Sequence, residues 1–324
     1  MSDTLPTATR VSDPGIRALY RLENRWQAWI DVEGALARAQ EALGIIPAGA
    51  AEAIAKAGHL ELLDRARIDE GFVRTGHTLV PLVWELSRIV GPPHDGWVHW
   101  GATTQNITQT GDLLVLRQAH GIFLRQIGAV LAAMADLAER GAEMAIAGRT
   151  HGQHAVPATF GFKVAVGIDE LIRHTERLRQ AGPRLFVAML GGAAGTYASL
   201  GAQGPAVQAG VARHLGMGDM AVPARSIGDH LAENICLLGM LAATGGEDRA
   251  RDLHADEDRV RRGVGAGAAG DGGQFDDAAE AQSEIVPGHH RRRGRGAQPG
   301  AAGAGSDDDG ARGGPDQHLD DGCR

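Results

Sequence analysis

The sequence predicts a mostly α protein built as a bundle of long helices, and three observations carry that reading. Apolar residues recur at three- and four-residue steps through most of the chain up to Gly246. One such pattern runs from about Thr104 to Arg140 without a breaking residue. The two-residue alternation that marks strands is scarce. Past Gly246 the apolar pattern stops, so the expected architecture is a truncated long-helix bundle followed by a disordered tail rich in Gly, Asp and Arg.

In order along the chain, residues 15–43 read as one amphipathic helix with Ile16, Leu19, Leu22, Trp26, Trp29, Ile30 and Leu36 on its apolar side. Gly44 is placed to end it, and Pro47 suits the first turn of a short helix reaching Ala57. A third apolar run, Leu79 to Val90, stops at Gly91-Pro92-Pro93. The helix from Thr104 to Arg140 contains Gly111, Gly121 and Gly128, which a helix tolerates, and at 1.5 Å per residue it spans about 55 Å. Another helix is expected from near Pro157 to about Gln180, then a Gly-rich connection at 191–196, then a long helix opening near Asp229. Helices of this length bury their stripes against one another. The division expected is an N-terminal helical domain over 1–100, a central, incomplete long-helix bundle over 101–246, and the tail over 247–324.

Composition bounds the function. The 324 residues carry 32 Lys+Arg against 40 Asp+Glu, a formal net charge of −8, which argues against a nucleic-acid partner. The Arg291-Arg292-Arg293 run is offset by acidic neighbours such as Asp307-Asp308-Asp309. Two cysteines, Cys236 and Cys323, make neither a disulfide framework nor a zinc site. The first residues lack a basic stretch followed by an apolar one, and no run of about 18 apolar residues is found, so neither a secretory signal nor a membrane partner is expected. A cytoplasmic protein is the expectation.

Three histidine-bearing segments stand at expected element ends: Thr75-Gly76-His77-Thr78, His99-Trp100-Gly101-Ala102-Thr103-Thr104-Gln105-Asn106, and Gly148-Arg149-Thr150-His151-Gly152-Gln153-His154. Singly, each histidine reads as a structural residue. Placed at helix starts, such hydroxyls, imidazoles and free backbone N–H groups suit a carboxylate or phosphate. No histidine pair has metal-ligand spacing, and neither a phosphate-loop pattern nor a G-x-S-x-G elbow is present.

Four longer stretches go further: ENRWQAWIDVEGALARAQEALGIIP at 23–47, HWGATTQNITQTGDLLVLRQA at 99–119, GRTHGQHAVPATFGFKVAV at 148–166 and LGGAAGTYASLG at 190–201. In this order they resemble the fumarase/aspartase superfamily, in its adenylosuccinate lyase and 3-carboxy-cis,cis-muconate cycloisomerase branch, over about residues 15–246. The resemblance implies a mostly α subunit whose central helices pack into a homotetramer, each active site drawing on three subunits. It implies a small dicarboxylate-type substrate and no metal or organic cofactor. The reaction is removal of a proton beside a carboxylate and departure of an amine or oxygen group from the next carbon, giving fumarate, which requires a base, an acid and stabilisation of added negative charge. By motif, His151 resembles the general acid. His77 and His99 resemble the other two active-site histidines, which in adenylosuccinate lyases hold the substrate phosphate and support the acid. We therefore expect His151 and His99 to be catalytic, and His77, Thr103, Thr104 and Gln153 to bind substrate. Asn106 departs from the usual Asp, and a neutral amide cannot serve as an anionic orienting partner.

The resemblance is incomplete at the family's flexible loop, approximately GSSxMPxKxNP, whose serine is the catalytic base and whose lysine holds substrate carboxylate. No such string occurs, and the last lysine is Lys163. Residues 247–324 hold 16 of the 47 glycines and only seven large apolar residues. Back-translated and read from the second base of each codon, residues 275–290 permit S-T-M-P-Q-K-R-N-P-K-L-C-Q-D-I-I. The same shift from Glu247 permits K-I-A-R-E-I-Y-T-L-M-K-T-E-F-G. The expectation is a one-nucleotide frameshift near codon 246. Three functions follow: an adenylosuccinate lyase-like enzyme impaired by loss of the loop, a cycloisomerase-like enzyme, or a non-catalytic helical fragment. Loss of the remaining helices would also remove much of the subunit contact, so the tetramer is expected of the intact family rather than of this chain.

Overall fold

The N-terminal apolar stretch folds as two helices rather than one. In the computed structural model, which describes residues 12–150 and 153–246, α1 is Ile16–Leu19 and α2 is Leu22–Ala42. Asp13 caps α1, its carboxylate accepting from Ile16 N–H at 3.0 Å and Arg17 N–H at 3.2 Å. Asn24 Nδ2 donates to the Leu19 carbonyl at 2.7 Å, so a side chain takes the place of the next helical turn and α2 restarts at Leu22. Periodicity could not show this break, because the apolar stripe continues across it.

The next helices are α3, Ala50–Ala57, α4, Arg65–Thr75, and α5, Val80–Val90. α4 was not expected from the sequence: it buries only Ile68 and Gly71, so it carries little stripe, and its start is fixed by Asp64 accepting from Ala66 N–H at 2.9 Å. α6 is Thr104–Arg140, with the bounds the sequence predicts. A β-hairpin follows, β1 Ala145–Thr150 against β2 Gln153–Thr159, antiparallel with an irregularity after Gly148. The hairpin corrects the expectation of a helix opening at Pro157, which lies on β2 opposite Ala147. α7 instead begins at Phe160 and runs to Leu185, beyond the Gln180 expected, with Thr159 Oγ1 accepting from Phe162 N–H at 3.2 Å as its cap. β3, Val187–Ala188, pairs in parallel with β4, Gly218–Asp219, around α8, Gly204–Leu215, and α9 occupies 229–246. The tail expected over 247–324 lies outside the described residues.

α2 is the hub of the main core. Trp26, Trp29, Ile30, Val32, Leu36 and Ala39 pack with Ile107, Leu114 and Val115 of α6 and Val207 and Val211 of α8. Gly111 is required there rather than merely tolerated: a Cβ at this position would lie 2.4 Å from Trp29 Cδ1, so its absence lets α2 and α6 touch. Beside this contact Asp112 accepts from both arms of Arg25, at 3.0 and 2.7 Å, and from Trp29 Nε1 at 3.1 Å, fixing the register of the two helices. Farther along α6 a second, smaller core joins Ile127 to Leu178, Ala181 and Leu185 of α7 and Leu237 of α9.

Among the described residues α6 is long and apolar enough to cross a bilayer, with an 18-residue window of mean hydropathy 1.4, only 11% of it buried. A few polar residues interrupt this segment, so it holds no unbroken apolar run although it is apolar on average. Length and composition alone carry the observation, and the core helix of a bundle passes the same test.

Candidate functional site

Three of the four sequence motifs converge on the end of α6 that begins at Thr104. α2 carries the first, α6 the second, and the loop after β3 the fourth. The residues that hold them together are mostly polar.

His99 takes a left-handed backbone conformation, φ +63°, two residues before Gly101 at φ +73°. A Cβ on Gly101 would sit 2.6 Å from Leu200 Cδ2, so the turn is drawn tightly against the 190–201 segment. This turn sends the His99 ring onto α2, where Nδ1 donates to Glu33 Oε1 at 2.6 Å; the carboxylate accepts, which assigns the proton to Nδ1. Glu33 is 3% exposed. Burial opposes charge on the His99 ring, but the charge and hydrogen bond of Glu33 outweigh it, and the pKa is raised above 6.5. Two turns along the same face of α2, Gln40 Nε2 donates to the Trp100 carbonyl at 2.6 Å. Trp97 and Trp100 meet edge to face, with ring centroids 5.0 Å apart.

Thr103 is the N-cap of α6 and forms a capping box with Asn106. Asn106 is 2% exposed, and its Oδ1 accepts from Thr103 N–H at 3.4 Å and Gly192 N–H at 3.0 Å. The amide at 106 therefore ties the Gly-rich loop to the helix start, a task that needs an acceptor and no charge. Thr110 Oγ1 repeats the tie one turn later, accepting from Met189 N–H at 2.9 Å. Thr104 opens α6 beside them, half-buried.

A cleft of about 390 Å³ opens against this end, lined by Gln105, Gly195, Pro223, Arg225 and Ser226 among others. The Arg225 guanidinium donates to the Ala193 carbonyl at 2.5 Å and to Gln105 Oε1, while the Arg225 carbonyl accepts from Gln109 Nε2 at 2.8 Å. An arginine and the positive end of a long helix thus meet at one cleft, while the His99 ring is held on α2 five residues before Thr104. The chemistry of the cleft suits an anion. Among the described residues no group of three His, Cys, Asp or Glu side chains is placed to hold a metal ion.

The other expected residues lie elsewhere. His77 sits in the turn between α4 and α5, and its Nδ1 accepts from Leu79 N–H at 3.2 Å and Val80 N–H at 3.3 Å, so it caps α5. His151 lies outside the described residues. Gln153 is at the tip of the hairpin, paired with Thr150, and exposed. That hairpin grows from the far end of α6, where Gly161 N–H donates to the Gly141 carbonyl at 2.8 Å. α6 spans about 55 Å. The eight residues from Gln153 to Gly161 reach back at most about 27 Å, so Gln153 stays roughly 20 Å or more from Thr104 of the same chain.

Sequence reasoning missed Glu33, Gln40 and Arg225. Glu33 and Gln40 had a signal: they fall in step with Trp26, Trp29, Ile30 and Leu36, so a carboxylate and an amide lie on an apolar stripe. Arg225 had none, because the loop that holds it has no periodicity.

Comparison with known proteins places these features. Residues 9–244 match a family described as Lyase. The chain is 35% identical over 245 residues to the N-acetyl-S-(2-succino)cysteine lyase of Dickeya dadantii, covering 76% of this chain and 54% of that one. It is 36% identical over 261 residues to the 3-carboxy-cis,cis-muconate cycloisomerase of Pseudomonas aeruginosa (79% and 57%). It is 36% identical over 240 residues to the adenylosuccinate lyase of Methanothermobacter thermautotrophicus (74% and 54%). Among solved structures, the fumarate lyase of Mesorhizobium sp. BNC1 superposes with a TM-score of 0.69 at 37% identity, covering 74% of this chain and 56% of that one. The chain spans about half the length of the curated relatives it matches. On the strength of this match, and of the helices and motifs described above, it belongs to the lyase family of the fumarase/aspartase superfamily.

Proposed function

We propose that this chain carries the substrate-anchoring part of a lyase site that cleaves a succinyl adduct by β-elimination, releasing fumarate and an amine, in the manner of adenylosuccinate lyase. The observation that supports it most is that Arg225 meets Gln105 at the positive end of α6, beside Thr103 and Thr104, with His99 five residues before Thr104, a setting that favours a dicarboxylate. Two relatives bear names that denote succinyl adducts, one on sulfur and one on nitrogen. In the reaction, a base takes the proton from the carbon beside a carboxylate, the electron pair becomes the new double bond, and the C–N bond breaks with its pair leaving on nitrogen. His151 is the proposed donor of the proton that nitrogen then takes, with His99 acting beside it, and His77, Thr103, Thr104 and Gln153 binding the substrate.

Because Gln153 and Thr104 stand at opposite ends of α6, the site proposed is assembled from more than one copy of the chain, as in the homotetramer expected of the intact family. The base is the missing part. Residues 247–324 are proposed to be an out-of-frame reading of the segment that holds it, so the polypeptide as read binds dicarboxylate without completing turnover. A second reading, a cycloisomerase acting on carboxymuconate, draws on the His99-Trp100-Gly101-Ala102-Thr103 stretch and on the relative matched over 261 residues.

The test is to sequence the gene around codon 246 and assay the chain and its frame-corrected form with adenylosuccinate, S-(2-succino)cysteine and carboxymuconate. AMP and fumarate from the corrected form alone support the proposal. Lactone would transfer it to the cycloisomerase reading, and turnover by the chain as read would overturn the assignment of the base.

A further inference from the structure

We propose that Glu33 is a positioning residue of this site: its buried carboxylate holds the Nδ1 side of His99 so that Nε2–H is the edge of the ring offered to an anionic group of the ligand. The inference deepens the proposed function and rests on it for the nature of the ligand. A carboxylate at 3% exposure on the apolar face of α2 carries a desolvation cost that a purely packing residue would avoid. His99 in turn adopts a left-handed backbone that residues other than glycine rarely take. Both features are explained by the 2.6 Å bond between them.

Nδ1 is thereby occupied. Among the described residues Nε2 has no hydrogen-bond partner, and the side chain keeps 18% of its exposure, so Nε2 is the nitrogen a ligand can meet. Glu33 is the ionised side chain acting on this ring; burial works against it. When protonated, the ring donates from Nε2 as well as from Nδ1 and supplies charge, and Glu33 favours that form against the effect of burial. In that form His99 meets an anionic group of the ligand through Nε2–H, which is how it would act beside His151. The Gln40 bond to the Trp100 carbonyl holds the loop independently of Glu33, so substitution at 33 leaves the loop anchored.

The experiment compares the full chain with Glu33→Gln and Glu33→Asp, following the His99 ring by NMR across pH and using succinate as the probe. In the unaltered chain and in Glu33→Asp the ring should titrate above 6.5, and in Glu33→Gln below it, since burial then acts alone. Succinate should bind Glu33→Gln about tenfold more weakly at pH 7.5, the order expected for loss of a charged hydrogen-bond partner. Most of that affinity should return at pH 5, where protonation is supplied by the solvent. An unchanged His99 midpoint in Glu33→Gln, or the same loss of affinity at both pH values, would overturn the inference, because a merely structural role predicts the latter. If the unaltered chain binds no succinate while the midpoint still falls in Glu33→Gln, the dicarboxylate reading fails and the hold of Glu33 on His99 stands.

Discussion

The two ends of α6 use similar apolar stripes to different effect. Near Thr104 the stripe is covered on several sides by α2, α8 and the 187–201 segment, and Ile107, Leu113 and Val115 are at most 2% exposed. Toward Arg140 it meets α7 and α9, and among the described residues the outer faces there are left open: Phe162 of α7 is 67% exposed and Val166 45%, Ile235 of α9 69%, and Val130 of α6 itself 48%. A helical period therefore signals that a face wants cover, and does not say whether the same chain provides it. The first end is a finished core that carries the candidate site. The second end leaves large apolar side chains exposed among the described residues.

The largest test of this contrast is truncation of a side chain at each end. Leu36→Ala, in the finished core and 1% exposed, should cost about 2–5 kcal/mol in denaturant unfolding. Ile235→Ala should change the stability of the isolated chain by less than about 0.5 kcal/mol, while weakening self-association in sedimentation equilibrium. Equal destabilisation by the two would erase the distinction.

Two glycines on α6 give opposite signs. Gly111→Ala places a Cβ 2.4 Å from Trp29 and should destabilise by about 1–3 kcal/mol. Gly128→Ala meets nothing within 4 Å and should stabilise by about 0.5–1 kcal/mol, as helix propensity alone predicts. Urea midpoints with unchanged slopes would read both.

pH separates the ends more gently. Burial lowers the pKa of His120, and burial together with Arg177 lowers that of His174, outweighing Glu170. A histidine depressed in the fold contributes stability above about 6.5, and that contribution is lost as pH falls. His99 is raised, so its contribution is complete below about 6.5 and is lost as pH climbs through its folded value. Hydrogen exchange should therefore show the α7 and α9 amides losing protection on acidification while the His99 turn keeps it. Parallel loss at both ends would contradict this sign assignment.

Much of the fold was legible where one physical signal acted alone. The bounds of α6 and the start of α9 followed from periodicity, as did most of α5. The split at Tyr20 and the hairpin before α7 were not: the first depends on side-chain capping, and the second on backbone pairing of two adjacent segments that carry no clear alternation of apolar and polar residues. The candidate site was legible in the same uneven way. Thr103, Thr104 and His99 were singled out by one segment's resemblance to the family, whereas Glu33 was hidden inside an apolar stripe. The separation of Gln153 from Thr104 needed the length of α6 as a physical distance, since motif order along a chain says nothing about proximity.

That separation is the centre of the account, and pulsed EPR distances measure it most directly. With Cys236 and Cys323 replaced by Ser, spin labels at Ser226→Cys beside the cleft and Gln153→Cys on the hairpin report both relations. A doubly labelled chain diluted in unlabelled chain should give one long distance, above about 20 Å, as the length of α6 and the reach of the hairpin require. A mixture of singly labelled chains should give a second distance well short of that. A short distance within one chain, or none between chains, would contradict a site completed by a second copy.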